Sequence, residues 1–421
     1  MALALIQSDW GALGEVTTVT AGGTGAFGKG KGADVVDALF QGGASKVEVI
    51  RVGNGGELAT ATIGEEGGMI KVATKYPTSR EIKVVIKPSV MGDEKDFILV
   101  EGDRRLHEVR IPSGDDEATA VADAMEGNEY VDIVVETEGE LPESANVPLE
   151  GGETPKATPE DYTKGMQVAE TAHWDVIVTD TQDIAVSNAV AAFVGRRIDK
   201  GHRCWTVLSA DGESDFAQRL LMTKMFNRFY VYLVGMSVGG LTLEETTALV
   251  AGETIRGDYT RNITRKPLTG VVTIDERLTD EQYDQAATNG LIVFDYNRND
   301  QVVIDYGINT LQNDDEETDM GWRSLRRMRT RYELIDRISR EVEAMLERGH
   351  DTDDDSLQHI ITKGNTVIAD MIREGGIKGG HMILDHAKQP GGDGAWYTFE
   401  NLEDLDGLDK FYIHFPLAYN R

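Results

Sequence analysis

Asp175-Val-Ile-Val-Thr179, then Ile184-Ala-Val-Ser-Asn-Ala-Val-Ala-Ala-Phe-Val-Gly-Arg-Arg-Ile-Asp199, then Cys204-Trp-Thr-Val-Leu-Ser209 is the stretch whose reading decides the fold. A short apolar, β-branched run, an alanine-rich segment with apolar residues at steps of three and four, and a second short apolar run spell strand, helix, strand. The same alternation extends on both sides. Helix Tyr162 to Glu170 feeds the first strand, and helix Asp215 to Met225 leads to strand Phe229 to Val234. Three successive units of this kind predict a mainly parallel sheet covered by helices. Helix Leu243 to Ala251, strand Gly270 to Ile274, helix Thr279 to Asn289 and a hairpin-like pair, Leu291 to Phe294 with Val302 to Ile304, complete the segment.

Towards the N-terminus the pattern starts earlier and is then interrupted. Ala2 to Ile6, Val16 to Thr20 and Lys46 to Val52 read as strands around a helix at Ala33 to Phe40. From Glu57 the period becomes two: Met69 to Thr74, Ile82 to Ile86, Phe97 to Val100, Leu106 to Ile111 and Tyr130 to Val135 are separated by polar turns, the pattern of a sandwich or small barrel. Residues 56 to 159 hold 23 acids against 10 bases, which marks an insertion presented to solvent. Two Thr-Pro pairs at residues 154–155 and 158–159 favour extended chain and close it.

Towards the C-terminus an acidic loop at 313–319 precedes the longest helix, about Trp322 to Leu346, with Leu325, Met328, Tyr332, Ile335, Ile338, Val342 and Met345 on its apolar face. A helix at about Ser356 to Glu374 and strands Trp396 to Phe399 and Phe411 to Phe415 follow. The expected architecture is an α/β core with a mainly parallel sheet (1–55 and 158–320), an inserted all-β sandwich or barrel domain (56–157), and a C-terminal α+β region (321–421).

A chain of 421 residues can bury a sizeable core without disulfides or metals. Forty-two Lys and Arg against 73 Asp and Glu leave a net charge of −31, which repels phosphate backbones and anionic membranes, so neither nucleic acid nor a membrane is an expected partner. There is no run of 18 apolar residues. The single cysteine, Cys204, excludes an intramolecular disulfide and a multi-thiolate zinc site, and its apolar setting reads as a buried strand position rather than a nucleophile.

Gly23-Thr24-Gly25-Ala26-Phe27-Gly28-Lys29-Gly30 has the spacing of a phosphate-binding loop. The position that would hold magnesium through a hydroxyl is Gly30, however, and the Walker B candidate ending at Asp295 is what any buried strand with a polar end looks like. A glycine-rich connection is the preferred reading, with a P-loop-like phosphotransferase as the alternative. His350-Asp-Thr-Asp-Asp-Asp-Ser resembles the start of a calcium loop, but Ser356 stands where Gly is needed and Thr362 where Glu is needed, so a helix N-cap explains it better. His381 and His386 are five apart, on different faces of a helix. The expectation is no enzyme, no cofactor and no metal.

One cluster stands apart. Arg323, Arg326, Arg327, Arg329 and Arg331 precede the first acid of the long helix, Glu333, and Arg323, Arg327 and Arg331 stack as like charges at a helix N-terminus, against the macrodipole. Either the protein's own acidic loops neutralise them or they dock an acidic partner surface.

In collinear order the chain resembles the tail sheath proteins of contractile-tailed phages, myoviruses and PBSX-like prophages among them. The matching stretches are Asp9-Trp10-Gly11, Ala73-Thr74-Lys75-Tyr76-Pro77, Pro148-Leu-Glu-Gly-Gly with Asp161-Tyr162-Thr163, Trp174-Asp175-Val-Ile-Val, Thr269-Gly270 with Arg277-Leu278-Thr279, Ile308-Asn309-Thr310-Leu311, the helix Arg326 to Ile338, and Lys410 to Phe415. The resemblance implies a structural subunit of six-fold rings stacked into a sleeve around a tail tube, which contracts to drive the tube through the host envelope. Other sheath subunits, the tube protein, the baseplate and the tail terminator are the implied partners, and the implied location is a virion tail assembled in the host cytoplasm. Subunit or tube contacts are expected at Arg323, Arg327 and Arg331 and at Phe411, Tyr412, Ile413, His414 and Phe415. Sheath subunits of this family usually begin with an extended arm, whereas this sequence opens at Ala2-Leu-Ala-Leu-Ile, a core strand; the expectation is a monomer or weak oligomer in solution.

Overall fold

The computed structural model describes residues 1–65, 67–90, 94–313, 318–347, 354–385 and 396–407. They form two compact units, Met1–Ala2 with Ala38–Ser45 and Trp174–Arg421, and Leu3–Asp37 with Lys46–His173.

The first unit carries the layer announced by the opening stretch. Strands Leu291–Ile292, Val231–Val234, Trp205–Ser209 and Val176–Thr179 lie side by side in that order, all parallel. Every residue of these strands is buried, as a parallel layer covered on both faces requires. Helices Ile184–Asp199, Phe216–Phe226, Leu243–Ile255 and Asp280–Asn289 connect or follow the strands, and the side chains of Asp183, Asp215, Thr242 and Thr279 each cap a first turn. Helix Leu243–Ile255 is almost wholly buried, and at Gly252 the backbone comes so near Leu39 that an added Cβ would lie 2.3 Å from the Leu39 carbonyl oxygen.

Two expectations need correction here. The apolar run at 291–294 divides: Leu291–Ile292 joins the parallel layer, and Phe294–Tyr296 pairs antiparallel with Val302–Ile304. The segment Gly270 to Ile274 is no strand. It makes one bridge, Val238 to Ile274, because Gly270 turns the chain at φ +77° and leaves Val272 76% exposed.

After a 3-10 turn at Met320–Arg323 comes the long helix Leu325–Leu346, here the arginine helix, and then helix Asp354–Glu374. Leu325, Met328 and Tyr332 are buried as expected, but beyond them Leu334 takes the core position and Ile335 turns outward. Leu334 packs with Tyr259, Ile368, Met371, Ile377 and Met382 in the core of the C-terminal region. That core is closed by a hairpin of Ile377–Leu384 and Tyr397–Asp404. The first of these strands escaped the sequence reading because Gly379 and Gly380 break its alternation, and the register shifts there. Phe411 to Phe415 lie outside the described residues.

The second unit is mixed in its first layer, where Lys46–Arg51 runs between Ala2–Ile6 and an antiparallel Val16–Thr20. Its larger part holds a four-stranded antiparallel sheet (Ala145–Pro148, Ile82–Pro88, Glu94–Glu101, Arg104–Pro112) and a three-stranded one (Thr60–Glu65, Gly68–Thr74, Val131–Thr137). Ile63, Ile70, Val72 and Val131 of one share a core with Ile82, Val84, Phe97 and Leu99 of the other. The all-β expectation is corrected by helix Glu117–Ala124, whose Ala118, Val121 and following Met125 enter the same core at helical spacing. Glu117 is buried there. It accepts from Lys95 Nζ at 2.8 Å and from the amides of Gly114 and Leu141.

Candidate subunit-contact site

Like charges at the start of the arginine helix persist because each guanidinium finds an acceptor supplied by another element. Arg323 donates to the carbonyl oxygens of Ala287 and Thr288, in the last turn of helix Asp280–Asn289. Arg326 donates to the Gly375 carbonyl, one residue past helix Asp354–Glu374, and Arg329 to that of Gly257, two residues past helix Leu243–Ile255. Three of the five arginines thus bind backbone carbonyls at or just past the C-terminal, dipole-negative ends of three helices. Burial pulls the Arg323 and Arg329 guanidinium pKa values down from their ordinary range.

The other two converge on one carboxylate. Asp404, at the end of the C-terminal hairpin, accepts from Arg327 at 2.7 Å and from Arg331 Nε at 2.6 Å. Burial alone would raise the Asp404 pKa, but the hydrogen bonds from Arg327 and Arg331 outweigh it and hold the carboxyl below the ordinary carboxylate range. Arg331 also meets Asp319 of the preceding acidic loop at 3.1 Å and lies over the Trp322 ring. Within this chain, then, Arg323, Arg327 and Arg331 are all engaged: the first with carbonyls, the other two with Asp404. The remaining site residues from the sequence, Phe411, Tyr412, Ile413, His414 and Phe415, fall outside the described residues.

A cleft of about 670 Å³ opens beside this helix, lined by Asp175, Arg203, Trp205, Tyr332, Asp336 and Arg337 among others. Its charges are interleaved. Arg203 pairs with Asp336, whose carboxyl burial pushes up; Arg337 pairs with Glu333 and Glu374; and Tyr259 donates to Glu374 at 2.6 Å. Asp404, Glu374 and Tyr259 were missed in the sequence, where nothing in local spacing ties them to the arginines.

The glycine-rich loop has an occupant of its own. Asp9 Oδ1 accepts from the Lys29 amide at 3.1 Å, and a Cβ on Gly28 would lie 1.8 Å from that same oxygen. Gly28 at φ +73° lets the backbone close over a carboxylate where a phosphate-binding loop would hold a phosphate. Burial raises the Asp9 carboxyl, opposed by that amide bond. Asp295 is likewise engaged, accepting from Arg265 at 2.8 Å. The Cys204 side chain is buried and its thiol is pushed up to about 12, so it is no nucleophile at neutral pH. His381 lies on a strand of the hairpin, rather than on a helix, 3.1 Å from Glu400; the calcium-like stretch begins among residues outside the description. No helix among the described residues is long and apolar enough to cross a membrane, and no group of three or more potential metal ligands occurs among them.

Part of this chain is similar to known proteins. Residues 155–310 match the phage tail sheath protein central domain. The fold is similar to that of the sheath tail protein of Desulfitobacterium hafniense, with a TM-score of 0.75 and 17% identity over 96% of each chain. It is also similar to the contracted helical sheath of the anti-feeding prophage, with a TM-score of 0.59 and 10% identity over 99% of this chain and 92% of that one. At such identities the likeness is one of fold. A curated relative, the uncharacterized protein YqbK of Bacillus subtilis, is 27% identical over 184 residues, or 41% of this chain. The match spans 36% of that protein's length.

Proposed function

We propose that the chain is a member of the phage tail sheath family and a structural subunit of a contractile tail sheath, polymerising around a tail tube and contracting to drive it through a host envelope. The observation that carries this reading is the central-domain match at 155–310, which falls on the parallel layer and the helices around it. A sheath stores its energy in the assembled lattice and needs no nucleotide site. The carboxylate of Asp9 in the glycine-rich loop fits that requirement, and no finding favours the phosphotransferase alternative.

In this reading the partners are further copies of the chain, a tail tube, a baseplate and a tail terminator, in a virion tail assembled in the host cytoplasm. Arg327 and Arg331 reach a neighbouring subunit by exchanging Asp404 and Asp319 for its carboxylates. Arg323 does so by leaving its helix-end carbonyls, and Phe411 to Phe415 supply a further subunit or tube contact. The insertion, residues 56–157, forms an outer ridge.

Electron microscopy of particles containing the native protein tests the proposal. Striated sleeves around a tube, in long and short forms, are the expected result; particles without a sleeve, or nucleotide hydrolysis by the purified chain, would overturn it.

A further inference from the structure

An apolar groove lies on the parallel-layer unit. Its floor is Ile184, Leu221, Met222 and Met225, from the start of helix Ile184–Asp199 and the outer face of helix Phe216–Phe226. Leu221 is 62% exposed, Met225 51% and Ile184 41%, so three of the large apolar side chains left in water share one depression of about 450 Å³. Scattered single apolar residues are ordinary; a contiguous set in a concavity marks a binding surface. The spacing of Leu221 and Met225, one helical turn apart, suits a second helix laid along them, and methionines adapt to such a partner.

The walls say what that partner carries. The groove is rimmed at one end by the loops that follow strands Val176–Thr179 and Trp205–Ser209, fastened together by the Gly212 amide donating to Gln182 Oε1 at 2.7 Å. These loops present Asp211 and exposed Glu213, and Asp183 and Asp215 stand at the adjoining helix N-caps. Hydrogen bonds from the Ser214 hydroxyl and the Glu213 amide hold the Asp211 carboxyl below its usual range, so it remains charged at neutral pH. An apolar floor with carboxylates at its mouth selects an apolar segment flanked by Lys or Arg. A second copy of this chain, at −31, brings more negative charge to that mouth.

We propose that this groove docks a cationic amphipathic helix of a different protein of the particle. The inference rests on the sheath reading for the existence of such a partner but not for the chemistry of the groove. The test uses the full, unlabelled chain, with an environment-sensitive dye carried by the peptide. The probes are a synthetic helical peptide of Leu and Lys and its Leu and Glu counterpart. Saturable blue shift with the Lys peptide, at least tenfold weaker in the Leu221→Asp, Met225→Asp double variant and weaker at high salt, is the expected result. Equal response of that variant would reveal mere adsorption to an acidic surface and overturn the proposal. So would a response to the Glu peptide, no response at all, or a concentration-dependent oligomer abolished by Leu221→Asp, which would assign the groove to a second copy. Thermal melts of the exposed-site variants check that they fold. Failure of the sheath reading would show instead as particles without a sleeve, whatever the peptides do.

Discussion

Arg331 donates through Nε to Asp404 Oδ2 at 2.6 Å across 73 residues of sequence, and Arg327 donates to the other oxygen of the same carboxylate. One acid therefore ties the C-terminal hairpin to the arginine helix and offsets the repulsion between two cations one turn apart.

Asp404→Asn removes that charge while keeping the shape. With the side chain only 10% exposed, the loss is about 1.5–3 kcal/mol, the range for hydrogen bonds to a charged group. Urea denaturation at neutral pH measures it. Because the folded-state pKa lies below the unfolded value of about 3.9, the stabilisation is present above that value and is lost as pH falls through the folded pKa. The gap between wild type and variant should therefore close in acid; a gap unchanged down to the lowest pH at which both still fold would contradict the assignment.

Gly252→Ala places a methyl group 2.3 Å from the Leu39 carbonyl oxygen and 2.8 Å from the Gly42 Cα. Both contacts are backbone, so the helices must part. A loss of about 1–3 kcal/mol follows from overpacking, read as a lower denaturation midpoint at an unchanged slope.

Lys95 and Glu117 form a buried ion pair, and removing one partner strands the other. Lys95→Met or Glu117→Gln alone should cost about 3–5 kcal/mol, and the double variant Lys95→Met, Glu117→Gln much less than the sum. Additive losses in a double-mutant cycle would show that the pair is not coupled.

The parallel layer was legible because Val176–Thr179, Trp205–Ser209 and Val231–Val234 are short, apolar and buried throughout, so composition and length suffice to mark them. The hairpin strand Ile377–Leu384 was not, since two glycines erase its alternation and its partner begins only at Tyr397. The arginine cluster was visible as a charge anomaly, but its resolution was hidden. Arg323, Arg326 and Arg329 bind backbone carbonyls at the ends of other helices, and backbone acceptors leave no trace in side-chain spacing. The carboxylate in the glycine-rich loop was hidden for a related reason: Asp9 sits 20 residues before Lys29, outside the glycine-rich run.

Removing the insertion tests the proposed boundaries at 56 and 157, and Trp10 decides how. Trp10 precedes the insertion, yet it is buried in the core shared by the two antiparallel sheets, edge-on to Tyr76 at 5.3 Å, beside Tyr130 and under the Arg80 guanidinium. Replacing residues 58–155 by a short linker takes away all three neighbours and leaves a large indole in water. Arg51, 1% exposed, loses one of its three carbonyl acceptors, Pro77, and keeps Ser8 and Gly11. The shortened chain with Trp10 retained should therefore aggregate, whereas the same deletion with Trp10→Ser should unfold cooperatively in urea, because strands Ala2–Ile6 and Lys46–Arg51 stay apolar and buried. Cooperative unfolding of both would show that Trp10 is dispensable, and of neither that the insertion is part of the core and the boundary misplaced.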